Sequence, residues 1–339
     1  MKHILDMTPG HLEAEFEAMG EKPFRARQIL KWIYEKGVTD FDKMSDLPAR
    51  LREKLPEQFT VLSGKVVDRV ESADNTLKLL LEFPDGERVE TVLIPTGKRA
   101  TACLSTQAGC SMKCTFCATG IGGFRRNLTA GEIVEQAIQL WAESGTRITH
   151  AVYMGMGEPL MNFNATVKSL HALVDEKRLG ISARRVTVST IGFPKKIRRL
   201  MEEDLPITLA ISLHAPNDPL RQQLIPAAKN TKLEDILEAA DDFFRYRGRE
   251  VTLEYTLISG VNDTGVCADA LVKIAQQLRC KVNLIRYNPV ESLEYAPPSM
   301  KTVKDFEKRL AGHGVKVSVR RSRGIETDAA CGQLRRRTT

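Results

Sequence analysis

The sequence predicts an α/β protein: a parallel sheet wrapped by helices and curled into a partial (β/α)6 barrel, with a small helical N-terminal domain and a short β-rich linker ahead of it. Three features predict it. From about residue 98 onward, strand-like and helix-like segments alternate through six units. The strand candidates are apolar and the helices between them amphipathic, as in a sheet covered by helices. Residues 8–55 read as helices and turns, and 59–95 as strands separated by turns. The same alternation suits a flat doubly wound sheet; six successive units favour the barrel. In both, the site lies at the carboxyl ends of the strands.

The predicted domains are 1–57, helical; 58–97, a β-hairpin or linker; 98–325, the barrel; and 326–339, a C-terminal loop with a basic tail. In 24–37, Ala26, Ile29 and Ile33 form one stripe with Leu30 beside it, and Gly37 is a C-cap candidate. The next helix has Ser45 or Asp46 as its cap, with Pro48 in the first turn. Turns at 73–75 and 84–86 divide the linker strands. The barrel strands are 102–107, 149–154, 185–190, 208–213, 251–258 and 282–288. Helices are expected at 129–143, 162–177, 194–203, 231–247 and 265–279, then a last helix (301–311) and a strand (315–320). Gly155–Pro159, Ser189–Gly192, Ser212–His214 and Tyr287–Pro289 follow four strands and should converge on one pocket mouth.

With 42% hydrophobic and 27% charged residues, the composition is that of a globular chain, not a disordered one. The N-terminus lacks the apolar core of a secretory signal, and no run of about 18 apolar residues exists, so a cytoplasmic protein without a membrane span is expected. The net charge of +7 suits an anionic partner. Basic groups recur at Arg125-Arg126, Arg184-Arg185, Lys195-Lys196, Arg198-Arg199, Arg320-Arg321, Arg323 and Arg335-Arg336-Arg337. Phosphate attraction there would position a nucleic acid without choosing a base.

Seven cysteines are too few and too odd in number for a disulfide scaffold, yet Cys103, Cys110, Cys114 and Cys117 crowd together. The last three, spaced C-x3-C-x2-C directly after the first barrel strand, can wrap one corner of a soft metal centre. Thiolates select zinc, copper(I) or iron–sulfur. Structural zinc wants four ligands; three suit a [4Fe–4S] cubane with one iron open. A four-cysteine zinc knuckle using Cys103, or three unmetallated buried thiols, are the other readings. The motif resembles that of the radical S-adenosylmethionine (SAM) superfamily, in which the open iron holds SAM and electron transfer from the cluster yields a 5'-deoxyadenosyl radical. Gly155-Met156-Gly157-Glu158-Pro159 resembles the superfamily's SAM-binding strand end.

The run CLSTQAGCSMKCTFCATG from Cys103, the segment Phe124–Thr129, and Arg323–Leu334 around Cys331 resemble the RlmN/Cfr family of radical SAM RNA methyltransferases, over nearly the full chain. That resemblance implies methylation of C2 of adenosine 2503 in 23S rRNA and of adenosine 37 in tRNAs, with C8 methylation as the alternative. It implies two SAM per turnover. Cys331 takes a methyl group from the first. The radical from the second abstracts hydrogen from that methyl, and the methylene radical adds to the base. Glu90 removes the C2 proton, and Cys103 frees the product by forming a disulfide with Cys331. A buried apolar setting is expected to lift the Glu90 pKa. The resemblance assigns SAM contacts to Gly157, Glu158, Ser189, Ser212, Leu213, His214 and Asn288, and the cluster to Cys110, Cys114 and Cys117. It further implies an electron-donor reductase system; a monomer is the default state.

Overall fold

The computed structural model describes residues 1–320 and 323–335; Arg321, Arg336 and Arg337, three of the basic positions above, lie outside the described residues. At the N-terminus, α1 (Pro9–Ala18), α2 (Phe24–Lys36) and α3 (Ala49–Gln58) are bracketed by a short parallel pair, β1 (Lys2–His3) and β2 (Phe59–Thr60). Thr8 caps α1 through the His11 N–H. Gly37 ends α2 in the left-handed region, where a Cβ would press to 3.2 Å from the Trp141 ring. The expected cap of the third helix differs. Pro48 stands at the cap without a side-chain bond, and Asp46 instead accepts a hydrogen bond from Trp32 Nε1 at 2.6 Å, so it ties α2 to the turn.

Strands β3 (Lys65–Glu71), β4 (Leu77–Glu82) and β5 (Arg88–Thr96) form an antiparallel meander that joins the main sheet through β6 (Arg99–Cys103). The linker is thus part of that sheet. The first barrel strand was expected at 102–107, but β6 stops at Cys103. Gln136 takes over the Ser105 backbone, accepting from its N–H and donating to its carbonyl (2.8 and 2.9 Å). The chain then forms β7 (Gln107–Gly109), which pairs antiparallel with β8 (Phe124–Asn127) on the far side of a short helix, α4 (Ala118–Ile121).

The remaining units alternate as the periodicity requires: α5 (Ala130–Ser144), β9 (His150–Tyr153), α6 (Phe163–Val174), β10 (Val186–Thr190), α7 (Pro194–Glu202), β11 (Thr208–Ser212), α8 (Asp218–Leu224), α9 (Leu233–Arg247), β12 (Val251–Leu257), α10 (Gly265–Gln277), β13 (Cys280–Arg286), α11 (Met300–Gly312) and β14 (Val317–Arg320). Side chains cap several of these helices, most fully α5, where Thr129 and Glu132 close a reciprocal capping box. The sheet runs β14-β13-β12-β11-β10-β9-β6-β5-β4-β3, with β6 and β9–β14 parallel.

Strand alternation separates two environments. Val188, Leu209, Ile211, Leu253, Tyr255, Val282 and Leu284 are fully buried in the core. Their neighbours Thr187, Ser212, Thr252, Glu254, Thr256, Asn283 and Ser318 face an interior space. The barrel interior is therefore hollow and carries polar side chains on its strands, unlike the closed barrels whose interiors are filled by branched apolar side chains. One hydrophobic core runs from Ile4 and the N-terminal helices through the barrel to Leu334. Among the described residues no helix is long and apolar enough to cross a membrane.

Candidate active site

The cysteine loop leaves β7 through Gly109, whose φ is +77°; a Cβ there would sit 1.8 Å from the Gly123 carbonyl oxygen, so only glycine lets the two arms cross. The Cys110 N–H donates to that carbonyl at 3.0 Å, and the Cys117 N–H donates to the Cys114 carbonyl at 3.2 Å. Cys110, Cys114 and Cys117 all open into one cavity. Burial pushes Cys110 up to about 12 and Cys114 well above its ordinary value; neighbouring cysteines push each further. Three such thiols deprotonate together only around a cationic centre, and a cluster supplies one. The donor set therefore fits a three-cysteine cluster.

The strand ends converge as the pattern requires. Gly157, Glu158, Ser189, Ser212 and His214 line the same cavity as the three cysteines. Gly157 has φ +100°, and a Cβ would fall 2.6 Å from Gln107 Cβ; the 155–159 turn is pressed against the segment entering the cysteine loop. Glu158 is buried and its carboxylate accepts from the Leu160 and Ile191 N–H groups, both at 2.9 Å. Burial raises its pKa against those bonds. Ser189 and Ser212 hydroxyls stand 3.1 Å apart.

His214 has φ +57° and its ring lies edge-on to Phe116 at 4.9 Å. Its Nδ1 accepts from the Thr256 N–H at 3.1 Å. Burial, with Arg221 nearby, lowers its pKa to about 3, so it is a neutral ring at physiological pH. Leu213 is fully buried; its backbone N–H donates to Glu254 O at 3.0 Å, and its side chain joins the core, not the cavity wall.

Cys331 sits where two cavities meet. It lines the cavity of the three cysteines, and it lines a neighbouring cavity with Cys103 and Asn288. Asn288 Nδ2 donates to the Cys331 carbonyl at 3.0 Å, and the Ala118 N–H donates to the Gly332 carbonyl at 2.8 Å. On its other side the C-terminal segment crosses the open edge of the barrel to the meander. Lys78 Nζ reaches the Asp328 carbonyl (3.3 Å), and the Arg335 N–H donates to Glu90 Oε2 (2.7 Å). Burial, then Cys331, raises Cys103 to about 12, while Arg320 opposes the rise.

Glu90 corrects one expectation. It is 1% exposed, but its surroundings are not apolar: Lys78 Nζ lies 3.0 Å from Oε1 in a buried ion pair, and Arg335 holds the other oxygen. Glu90 lines neither cavity. Three residues were not singled out from the sequence as site residues. Arg221, 1% exposed, donates to the Ile191 carbonyl and is lowered to about 10 by burial against the pull of Cys114. Glu254 lines the cavity from mid-β12; a glutamate on an otherwise apolar strand was its visible signal. Arg320, noticed only as a basic residue, lines both cavities and feels Cys331, Glu254 and Cys103.

This sheet order, with a three-cysteine loop after the first parallel strand, defines a radical SAM protein, and residues 104–269 match the family model for the radical SAM superfamily. Residues 2–61 match the ribosomal RNA large subunit methyltransferase N-terminal domain. The probable dual-specificity RNA methyltransferase RlmN of Carboxydothermus hydrogenoformans is 46% identical, over 99% of this chain and 98% of its own. The probable dual-specificity RNA methyltransferase RlmN of Thermotoga maritima is 43% identical over 99% and 98%. A crystal structure of a radical SAM methyltransferase from Sphaerobacter thermophilus superposes with a TM-score of 0.96 at 40% identity, covering 99% of each chain. The chain belongs to the RlmN family.

Proposed function

We propose that this chain is an RNA methyltransferase that methylates C2 of adenosine, at position 2503 of 23S rRNA and at position 37 of tRNAs, by way of a methylated Cys331. The observation that carries the reading is the place of Cys331, which faces the three cluster cysteines through one cavity and Cys103 through another. The match of residues 2–61 supports a ribosomal RNA substrate and an RNA-binding role for the helical domain. The relatives' dual specificity supports two kinds of RNA.

Cys110, Cys114 and Cys117 would hold one [4Fe–4S] cluster, which when bound supplies the electron that cleaves SAM to a 5'-deoxyadenosyl radical. Gly157, Glu158, Ser189, Ser212 and His214 shape the SAM pocket, Leu213 serves through its backbone, and Asn288 holds the Cys331 loop. The Cys331 thiolate attacks the methyl carbon of one SAM and takes the methyl group, and S-adenosylhomocysteine leaves. A second SAM gives the radical that takes hydrogen from that methyl, and the carbon so formed bonds to C2. Loss of the C2 proton and of one electron, for which the cluster left oxidised by SAM cleavage would be the acceptor, and attack by Cys103 on the Cys331 sulfur then break the S–C bond. The methylated base leaves and a Cys103–Cys331 disulfide remains, reset by an external two-electron reductant.

Glu90 is the base in this scheme. Lys78 and the Arg335 N–H occupy its carboxylate in this conformation, so the C-terminal segment must release it first.

The test is Cys103→Ala in the cluster-loaded enzyme with SAM, reductant and RNA. Covalent protein–RNA adduct should accumulate, and mass spectrometry of the wild-type product should identify 2-methyladenosine. Full turnover by the variant sinks the mechanism; 8-methyladenosine sinks the C2 assignment.

A further inference from the structure

The interior channel has a second mouth, at the amino ends of the parallel strands, opposite the cysteine loop. Arg99 opens β6, Arg184 and Arg185 precede β10, Arg249 precedes β12, and Lys281 lies at the start of β13; all five line this mouth. Glu254, deep in the channel, is the one carboxylate among the residues lining it, and Asn283 Nδ2 occupies its Oε1 at 3.0 Å. Among the described residues none of the five cations has a salt-bridge partner.

Arg249 is half-buried. Its Nη2 bonds Thr208 Oγ1 (3.0 Å) and the Arg184 carbonyl (3.3 Å), while its Nε is buried without a partner among the described residues. The cations disturb one another. Burial and then Arg184 lower Arg249; burial, Arg185 and Arg99 lower His150 on the same wall. Like charges gathered in a concavity cost free energy unless an anion joins them. Guanidinium forks match phosphate oxygens.

The basic groups of α7, at the cluster end, differ. Arg198 is paired with Asp242 and Glu238, and Arg199 bonds Asn164 and lies over the Phe163 ring at 4.1 Å. Arg198 thus already has carboxylate partners, and Arg199 is held by an amide and a ring.

The basic mouth also leads somewhere. Met154 and Arg320 line it, and the same two residues line the cavity of Cys103 and Cys331. We propose that phosphodiester groups flanking the target adenosine seat on the Arg99–Arg184–Arg185–Arg249–Lys281 ring, so that the base enters from the amino ends of the strands and reaches Cys331 past Met154 and Arg320. The proposal rests on the RNA reading above. The concave site suits a nucleotide strand drawn inward; an acidic protein would meet it only at its rim.

The test uses the full, cluster-loaded chain and a synthetic RNA stem-loop carrying the target adenosine, with binding measured across a range of KCl. The triple variant Arg99→Gln/Arg184→Gln/Lys281→Gln removes three exposed side chains that make no hydrogen bond or ion pair among the described residues. It should bind RNA at least about tenfold more weakly near 0.1 M salt, with the slope of log K against log salt reduced by about 2. Methyl transfer from SAM to Cys331 without RNA should not change. Lys301→Gln/Lys304→Gln/Lys308→Gln, three exposed charges removed from α11, should stay within about twofold of wild type in binding. Wild-type affinity and slope in the first triple, or an equal loss in the second, overturns the proposal. So does intact RNA binding with impaired reduction by an acidic flavoprotein donor, which would make the mouth a protein dock. A wild-type chain that binds no RNA at any salt overturns the RNA reading itself.

Discussion

Cys110, Cys114 and Cys117 form one set of sulfurs and Cys103 and Cys331 another, and the two sets are assembled by different means. The first is local. One loop carries all three, braced at its base by the β7–β8 pair and by the crossing at Gly109. The second is tertiary. Cys103 ends a strand, Cys331 comes from the opposite end of the chain, and they meet because the C-terminal segment spans the open edge of the barrel from Asn288 to Lys78 and Glu90. Their charged surroundings differ as well. Arg221 stands near Cys114, whereas Arg320 faces Cys103 and Cys331. Three sulfurs can thus be gathered by a short motif, while bringing Cys103 to Cys331 needs the whole fold.

The largest expected effect separates the sets outright. Cys114→Ala should lose most iron and sulfide and, with them, both SAM cleavage and RNA methylation. Cys331→Ala should abolish RNA methylation just as completely, yet keep its iron and still release 5'-deoxyadenosine when reduced with SAM. Iron analysis beside chromatography of the two products reads the difference. Loss of iron in Cys331→Ala would merge the two sets into one metal site and break the comparison.

The same contrast marks what the sequence disclosed. The three cysteines, the Gly155–Pro159 turn and the strand ends at Ser189, Ser212 and His214 were legible because spacing and strand periodicity fix local geometry, and the barrel rule gathers strand ends at one mouth. Cys331 and Glu90 became candidates only through family resemblance, as did the pairing of Cys103 with Cys331; no periodicity connects residues so far apart. The surroundings of Glu90 were misjudged for a physical reason. Lys78 lies opposite Val92, diagonal to Glu90 on the same face of the meander, and a lysine in a strand normally points to water, but here the C-terminal segment covers it and forces a buried ion pair. Asp46 was misjudged on a smaller scale: a cap-like residue before a helix was captured by a neighbouring tryptophan. Arg320 looked like one more surface cation until strand alternation turned it inward.

A smaller effect tests whether Glu90 serves the thiol pair or only the clamp that delivers Cys331. Glu90→Gln leaves the Lys78 ammonium buried without its counter-charge, which should cost about 3–5 kcal/mol of stability. It should also leave protein–RNA adduct unresolved. Glu90→Gln/Lys78→Met removes both charges and should recover most of the stability while the adduct persists. Denaturant unfolding and gel analysis of the adduct follow the two properties separately. Recovery of turnover together with stability would make Glu90 a structural clamp and nothing more.

The smallest effect concerns Arg320, the cation that distinguishes the surroundings of the pair. Burial already carries Cys103 to about 12, and the Arg320 charge favours its thiolate. A methionine keeps much of the length of the side chain and removes that charge, so Arg320→Met should push the Cys103 pKa higher still. Below its pKa the thiolate fraction of Cys103 falls tenfold for each unit of upward shift. Because thiolate is the attacking form, resolution of the adduct should slow by roughly tenfold near neutral pH for a shift of one unit, and raising the pH should restore the rate. Release of 5'-deoxyadenosine from SAM, which uses neither thiol of the pair, serves as the internal reference, and single-turnover rates of adduct decay from pH 7 to 9 give the profile. Arg320→Lys keeps the charge and should resolve the adduct near the wild-type rate; if it slows as much as Arg320→Met, Arg320 positions the loop sterically and its charge does not tune the pair.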